Sequence, residues 1–264
     1  MRQAYQDLLD LFLPPSCWIC GQGSCTDRRF GSSDDDVDGM TPHLPPTTML
    51  CKRCWDELLV CRAPRSCTAC GMPLPSDVQQ CPHCRDHRFH FEHVFALGVY
   101  QEPLRTAVYQ IKHPAGWRFA EEMARLVVRI QARTLIEQGF QSVTWVPSHW
   151  SRRLNRKCTP ALTLAATIAN ELNLPLHHLL RRCKRTKKQG LLGPAARRRN
   201  LDGSFAPKKS YLSRRSRAMT IPSKVLLVDD VLTTGTTCDE ASKTLKKLGV
   251  GQVSVLVIAR ATGA

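Results

Sequence analysis

Downstream of residue 93 the chain alternates two hydrophobic periods. Val94 to Tyr100 (VFALGVY) is a short apolar run of strand type, and Leu104, Val108 and Ile111 then recur at helical spacing. Phe119, Met123, Leu126, Val127 and Ile130 place one stripe on a longer helix, which Gly139 follows. Val143 to Val146 predicts a short strand ended by Pro147. A helix follows from Pro160, with Thr159 at its N-cap and proline at the first helical position. After a basic stretch come the strand Val225–Asp230 and a helix with Cys238, Ala241, Leu245 and Leu248 on one face. Gly249 stops that helix, and the strand Val253–Ala259 follows. Strands alternating with helices predict an α/β fold with an open parallel sheet covered on both faces.

The first third of the chain is different. Tyr5, Leu8, Leu9 and Phe12 suit a short amphipathic docking helix within residues 1–16. Residues 17–90 carry no sustained periodicity, and 31–46 (GSSDDDVDGMTPHLPP) has the polar, Pro/Gly-rich composition of a mobile insertion. Residues 91–264 make the α/β domain.

At 264 residues the chain can bury a substantial core. The sequence holds no apolar run long enough for a transmembrane helix, and Asp7 and Asp10 interrupt the only candidate leader, so a cytoplasmic location is expected. The formal net charge of +16 is concentrated in one segment. Residues 181–217 hold 14 basic side chains against the single acid Asp202.

Ten of the 13 cysteines lie between Cys17 and Cys84. Eight of them form four Cys-x2-Cys pairs, namely Cys17/Cys20, Cys51/Cys54, Cys67/Cys70 and Cys81/Cys84. Two intervening residues let both sulfurs of a pair reach one tetrahedral ion, and two such knuckles complete a closed four-thiolate zinc site. Sequential pairing predicts two structural zinc sites with no open position for catalysis. Disulfides are the weaker reading for a reduced compartment. Cys25 and Cys61 are unassigned and could replace a ligand. His83, inside the last knuckle, is expected to face outward.

The segment Val225–Thr237 (VLLVDDVLTTGTT) carries the densest chemistry. Four apolar residues make a buried strand, Asp229 and Asp230 sit at its carboxyl end, and Thr233, Thr234, Gly235, Thr236 and Thr237 open a helix. Backbone N–H groups, threonine hydroxyls and the positive end of a helix dipole there converge on an anion. Gly235 permits close backbone approach. The two carboxylates suit vicinal sugar hydroxyls and Mg2+.

This block resembles the PRPP-binding motif of type I phosphoribosyltransferases. More of the chain is similar to the ComF/GntX family of phosphoribosyltransferase-like proteins. The likeness includes the opening Leu8–Gly21, the double zinc ribbons, Tyr100 with Leu104, Ile111 and Lys112, and the Val146-Pro147 strand end. It extends to Arg185-Thr186 with Gln189, then Arg199-Asn200 and Phe205. It implies an open parallel sheet of the type I phosphoribosyltransferase kind behind a zinc-ribbon module. It also implies that Asp229 and Asp230 contact ribose hydroxyls, that residues 233–237 cradle a 5-phosphate, and that Val146-Pro147 approaches pyrophosphate. Lys112, Arg156 and Arg185 are the candidate cations around the substrate, and the resemblance implies that the basic stretch Arg185–Asn200, within the loop 181–217, is a mobile loop over the site. One departure is local: where the family shows R-G-F-N-Q, this chain has Arg156-Lys157-Cys158-Thr159-Pro160. The lost glycine and asparagine predict a different turn there.

Three functions follow as expectations. The first is Mg2+-dependent transfer of phosphoribose from PRPP to an acceptor. The second is a non-catalytic DNA-uptake accessory whose basic segment tracks single-stranded DNA or serves a helicase partner. The third is a scaffold for which PRPP is an effector. Phe205 and Tyr211 alone are too few for a base-stacking platform in the basic segment.

Overall fold

The computed structural model describes residues 16–22, 49–85, 87–148, 159–184, 201–212 and 220–262. The expected docking helix, the 31–46 insertion, Cys25, Arg156 and Arg185 lie outside them.

The sheet is built from β1 (His93–Val99), β2 (Ser142–Trp145), β5 (Lys224–Leu232) and β6 (Gln252–Arg260), in the order β1-β6-β5-β2 with every pair parallel. Parallel strands need crossovers, and helices supply them: α3 (Leu104–Ile111), α4 (Trp117–Glu137) and α5 (Pro160–Glu171) before β5, and α7 (Thr236–Leu248) between β5 and β6. Alternate residues of the two central strands feed two cores. Leu226, Val228, Leu256 and Ile258 pack under α3, α4 and α5 with Leu104, Phe119, Met123 and Leu164. Val225, Leu227, Val253, Val255 and Val257 pack under α7 with Cys238, Ala241 and Leu245. Both faces are therefore dry, which is why these strands read as continuous apolar runs.

The Thr159 carbonyl accepts from the Leu162 and Thr163 N–H groups at the start of α5, as the N-cap reading requires. Gly249 ends α7 at φ 113°, in the left-handed region.

Two cysteine-bearing segments precede β1, carrying α1 (Lys52–Val60) and the single turn α2 (Pro82–Arg85). They cover the outer edge of β1: the Val94 N–H donates to the Thr68 carbonyl and the Val99 N–H to the Cys61 carbonyl, each at 2.8 Å. An edge strand left open would template association with another chain. At Gly98 a Cβ would stand 2.6 Å from the Cys61 carbonyl oxygen, so the glycine is what allows this approach.

The ends of the basic segment fold. Here β3 (Leu180–Arg182) pairs antiparallel with β4 (Phe205–Pro207), followed by the turn α6 (Lys209–Leu212). Leu179, Leu180 and Phe205 are buried in the α7-side core, Leu201 is buried as well, and the Gly203 N–H donates to Glu240 on α7 at 2.9 Å. The expectation of a loop throughout 181–217 is corrected at residues 181–182 and 205–212, because Leu180 and Phe205 anchor the paired strands in the core. Residues 185–200 and 213–217 of the segment lie outside the described residues.

Candidate functional site

In β5 the strand continues past its acidic pair to Leu232, where sequence alone ends it at Asp230. The reason is asymmetric pairing. β2 stops opposite Val228, whereas β6 stays in register through Val257 opposite Asp229, Ala259 opposite Val231 and Arg260 opposite Leu232. Among the described residues the β2-side edge of β5 is thus left without a strand partner at the level of the carboxylates. Val146 and Pro147 directly follow β2, both buried, with the Val146 N–H donating to the Val228 carbonyl at 2.9 Å.

Asp229 Oδ1 accepts the Asp230 N–H at 2.9 Å and Asp230 Oδ1 the Val231 N–H at 2.8 Å, which fixes both carboxylates. Lys112, following α3, brings its Nζ to 3.2 Å from Asp230 Oδ2. Burial pushes the Asp229 carboxyl well above the usual range and the Asp230 charge adds to this. The Asp230 N–H and the Lys112 ammonium oppose it. Cys238 Sγ faces Asp229 Oδ2 at 3.9 Å from the first turn of α7, and burial raises that thiol as well.

The turn that follows is shaped by Gly235, at φ 80°. A Cβ there would lie 2.9 Å from Phe89 Cε1, so the glycine is needed for both its backbone angle and its packing. The Thr234 and Thr236 hydroxyls meet at 2.8 Å. Thr236 and Thr237 begin α7, whose first-turn N–H groups have no intrahelical acceptors. The structure thus brings Asp229, Asp230, residues 233–237, Val146, Pro147 and Lys112 to one end of the sheet, where β5 outlasts the edge strand β2. Arg156 and Arg185 lie outside the described residues.

The eight paired cysteines form two groups. In each, the four sulfurs Cys17/Cys20/Cys51/Cys54 or Cys67/Cys70/Cys81/Cys84 lie within 4.8 Å of one another. The Sγ separations are 3.8 Å for Cys20–Cys51, 3.7 Å for Cys67–Cys84 and 3.6 Å for Cys70–Cys81. A tetrahedron with Zn–S of ~2.3 Å has edges of ~3.8 Å, so both groups fit a zinc ion. Electrostatics point the same way. At Cys17 the raising effect of burial is outweighed by the Cys20, Cys51 and Ile19 N–H groups, and its thiol falls to about 7. Burial then drives Cys54 upward and Cys70 to about 11, with neighbouring sulfurs adding to the rise. Ionising further thiols in so crowded a group is costly, and a divalent cation among the four sulfurs would offset that charge.

Cys61 belongs to neither group; its Sγ reaches the Glu57 and Glu102 carbonyls at 3.6 Å. No histidine joins either cluster among the described residues. His83 is corrected: it faces inward, stacked on His87 at 5.4 Å and on Phe89 at 5.7 Å. Sequence reading also passes over three residues around the 233–237 turn. Asp239 Oδ1 accepts the His90 N–H at 2.6 Å and meets His90 Nδ1 at 3.0 Å. Arg260, ending β6, is buried with its Nε donating to the Cys70 carbonyl at 2.8 Å. An arginine after an apolar run reads as a solvated strand end, and no sequence signal marks it as interior.

A parallel sheet with an acidic strand end and a Thr/Gly turn defines a phosphoribosyltransferase-type domain, and residues 159–263 match the phosphoribosyl transferase domain family. Competence protein F of Haemophilus influenzae is 32% identical over 202 residues, which cover 74% of this chain and 84% of that protein. The DNA utilization protein YhgH of Escherichia coli O157:H7 is 26% identical over 223 residues, 78% of this chain and 91% of its own. The chain belongs to the ComF/GntX family of phosphoribosyltransferase-like proteins. Among solved structures, orotate phosphoribosyltransferase from Aeropyrum pernix is similar at 21% identity over 59% of this chain, with a TM-score of 0.32. This chain covers 64% of that protein and 30% of the allosteric regulatory enzyme of purine biosynthesis, where the TM-score is 0.38. No helix among the described residues is long and apolar enough to cross a membrane.

Proposed function

We propose that the chain binds PRPP at the β5–α7 junction and transfers its phosphoribosyl group to an acceptor, releasing pyrophosphate. The observation that carries this reading is the juxtaposition of two backbone-fixed carboxylates, with Lys112 3.2 Å from one of them, and an open Thr/Gly turn at a helix start. The N–H groups and hydroxyls of residues 233–237 match a 5-phosphate, a dianion with many acceptor oxygens. Asp229 and Asp230 accept hydrogen bonds from the ribose 2- and 3-hydroxyls. The buried Val146-Pro147 strand end faces the pyrophosphate.

Hard carboxylate oxygens beside a phosphate site fit Mg2+, which when bound offsets charge on the pyrophosphate oxygens. The reaction breaks the C1–O bond, with the electron pair leaving on pyrophosphate. A bond forms from the acceptor lone pair to C1, and the acceptor then loses its proton to solvent. Positive charge develops on the ribose in between, so the carboxylates below the ring are suitably placed to orient it. Isothermal titration tests the reading: Mg2+-dependent PRPP binding is expected, abolished in Asp229→Asn/Asp230→Asn. Equal binding in wild type and variant rejects it. Pyrophosphate release against a panel of bases and amines then identifies the acceptor.

A second reading, a non-catalytic role in handling DNA, is favoured by the likeness to competence protein F and by the basic segment 181–217. Single-stranded DNA binding that weakens steeply with salt supports it, and absence of binding at low salt rejects it.

A further inference from the structure

Arg260 is the only fully buried charged side chain among the described residues, at 2% exposure, and no carboxylate among them pairs with it. An interior guanidinium is costly unless its donors and its charge are met. Backbone carbonyls meet the donors: Nε donates to Cys70, and Nη1 to Leu232, Thr233 and Ala261. One partner is therefore a residue of the second cysteine group, and two others form the entrance to the 233–237 turn. A zinc ion with four thiolates carries a net charge of −2, the countercharge that this cation otherwise lacks.

Two further contacts run the same way. His83, between Cys81 and Cys84, stacks on Phe89, whose ring packs against Gly235 at the tip of the turn. Beyond the cluster, His90 holds Asp239, just past the turn. Entrance, tip and exit of the turn are thus each fastened to the segment that the second cysteine group organises. Among the described residues the first group has no such route; it packs under α4, with Trp18 stacked on Phe119 at 5.7 Å.

We propose that Arg260 is a positioning residue that couples metal occupancy of the Cys67/Cys70/Cys81/Cys84 group to the conformation of residues 232–239. With metal bound, the knuckle fixes the Cys70 carbonyl and supplies negative charge, and Arg260 draws the Leu232 and Thr233 carbonyls into place. Loss of either frees the turn. Coupling is reciprocal, so a ligand on the turn also tightens metal binding. The role in substrate binding rests on the PRPP reading above, whereas the coupling itself is measurable without PRPP.

The test is hydrogen exchange of the full chain, read on peptides spanning 231–240 with β6 residues 253–257 as reference, together with zinc counted by native mass spectrometry. Arg260→Met is expected to keep two zinc ions and protected β6 amides while exchange in 231–240 rises at least ten-fold. Cys84→Ser should lose one zinc and expose the same amides, the double variant should add nothing further, and Arg260→Lys should be intermediate. Unchanged 231–240 exchange in either single variant, with β6 protected, overturns the proposal. If Arg260→Met fails to fold, wild type is titrated with a chelator up to the loss of one zinc with β6 still protected. A rise in exchange at 231–240 then supports the coupling, and none overturns it. Saturating PRPP should slow extraction of that zinc at least ten-fold in wild type and not in Arg260→Lys. A wild type that shows the exchange coupling but no PRPP binding sinks the function proposed above and leaves the coupling standing.

Discussion

The two cysteine groups share a motif and differ in where their surroundings lead. Cys17, Cys54 and their neighbours Trp55, Leu58 and Cys61 belong to the larger core, continuous with Leu104, Phe119 and Met123. Cys70 and Cys81 are equally buried but join neither apolar core; their neighbourhood is polar and aromatic, and it leads through Arg260 and Phe89 to the 233–237 turn. Identical ligand chemistry thus serves two purposes. The first group is set within the hydrophobic core, where its loss is felt throughout the fold. The second is set beside a turn, where its loss is felt in one loop.

Breaking each group separately gives the largest contrast. Cys54→Ser removes a site type that supplies on the order of 10 kcal/mol of folding free energy from the middle of the core, and far-UV circular dichroism should show an unfolded or insoluble chain. Cys84→Ser should retain the α/β spectrum. The comparison fails if both behave alike.

Asp229→Asn should cost about 100-fold or more in PRPP affinity, since a carboxyl acceptor for the ribose hydroxyls is lost from a partly buried site. The same change should raise the melting temperature of the ligand-free protein at neutral pH. The folded chain holds the Asp229 proton to higher pH than the unfolded chain. Its contribution is therefore complete below the unfolded pKa of ~4 and is lost as pH climbs toward the raised folded value. The stability gap between variant and wild type should close as pH falls toward ~4, and calorimetry across that range checks it.

Gly235→Ala should destabilise by about 1–2 kcal/mol from its left-handed backbone alone, plus the clash with Phe89. Adding Phe89→Ala relieves the clash and leaves the backbone cost, so the denaturation midpoint of the double variant should exceed the sum of the single effects. The smallest effect is expected for Lys112→Met. This half-exposed pair with Asp230 is worth less than about 1 kcal/mol, and a few-fold loss in PRPP affinity with an unchanged melting temperature should result.

Much of the β5–α7 junction was legible because its signals are local. An apolar run, two acids, a Thr/Gly turn and a helical stripe lie within 24 consecutive positions, Val225 to Leu248, and each follows from near-neighbour sterics and periodicity. The cysteine pairing was legible for a similar reason, as two residues between thiols fix the knuckle. The extension of β5 to Leu232 was not, because it depends on β6 outlasting β2 at that level. The inward turn of His83 was missed because its partner Phe89 is ordered by packing on Gly235, far away in sequence. The hairpin at 180–207 was hidden by its charge: arginines at 181 and 182 dominate the composition while Leu179, Leu180 and Phe205 carry the burial.

By itself the sequence determined the alternation of strands and helices, the two four-cysteine groups and the acidic, Thr-rich junction, because periodicity, ligand spacing and turn sterics act over a few residues. Tertiary structure alone decided that a four-cysteine knuckle leans on that junction and that Arg260 lies between them. The Cys70 carbonyl and the Arg260 guanidinium meet across 190 positions of chain, and no local preference encodes which distant group will satisfy a buried cation.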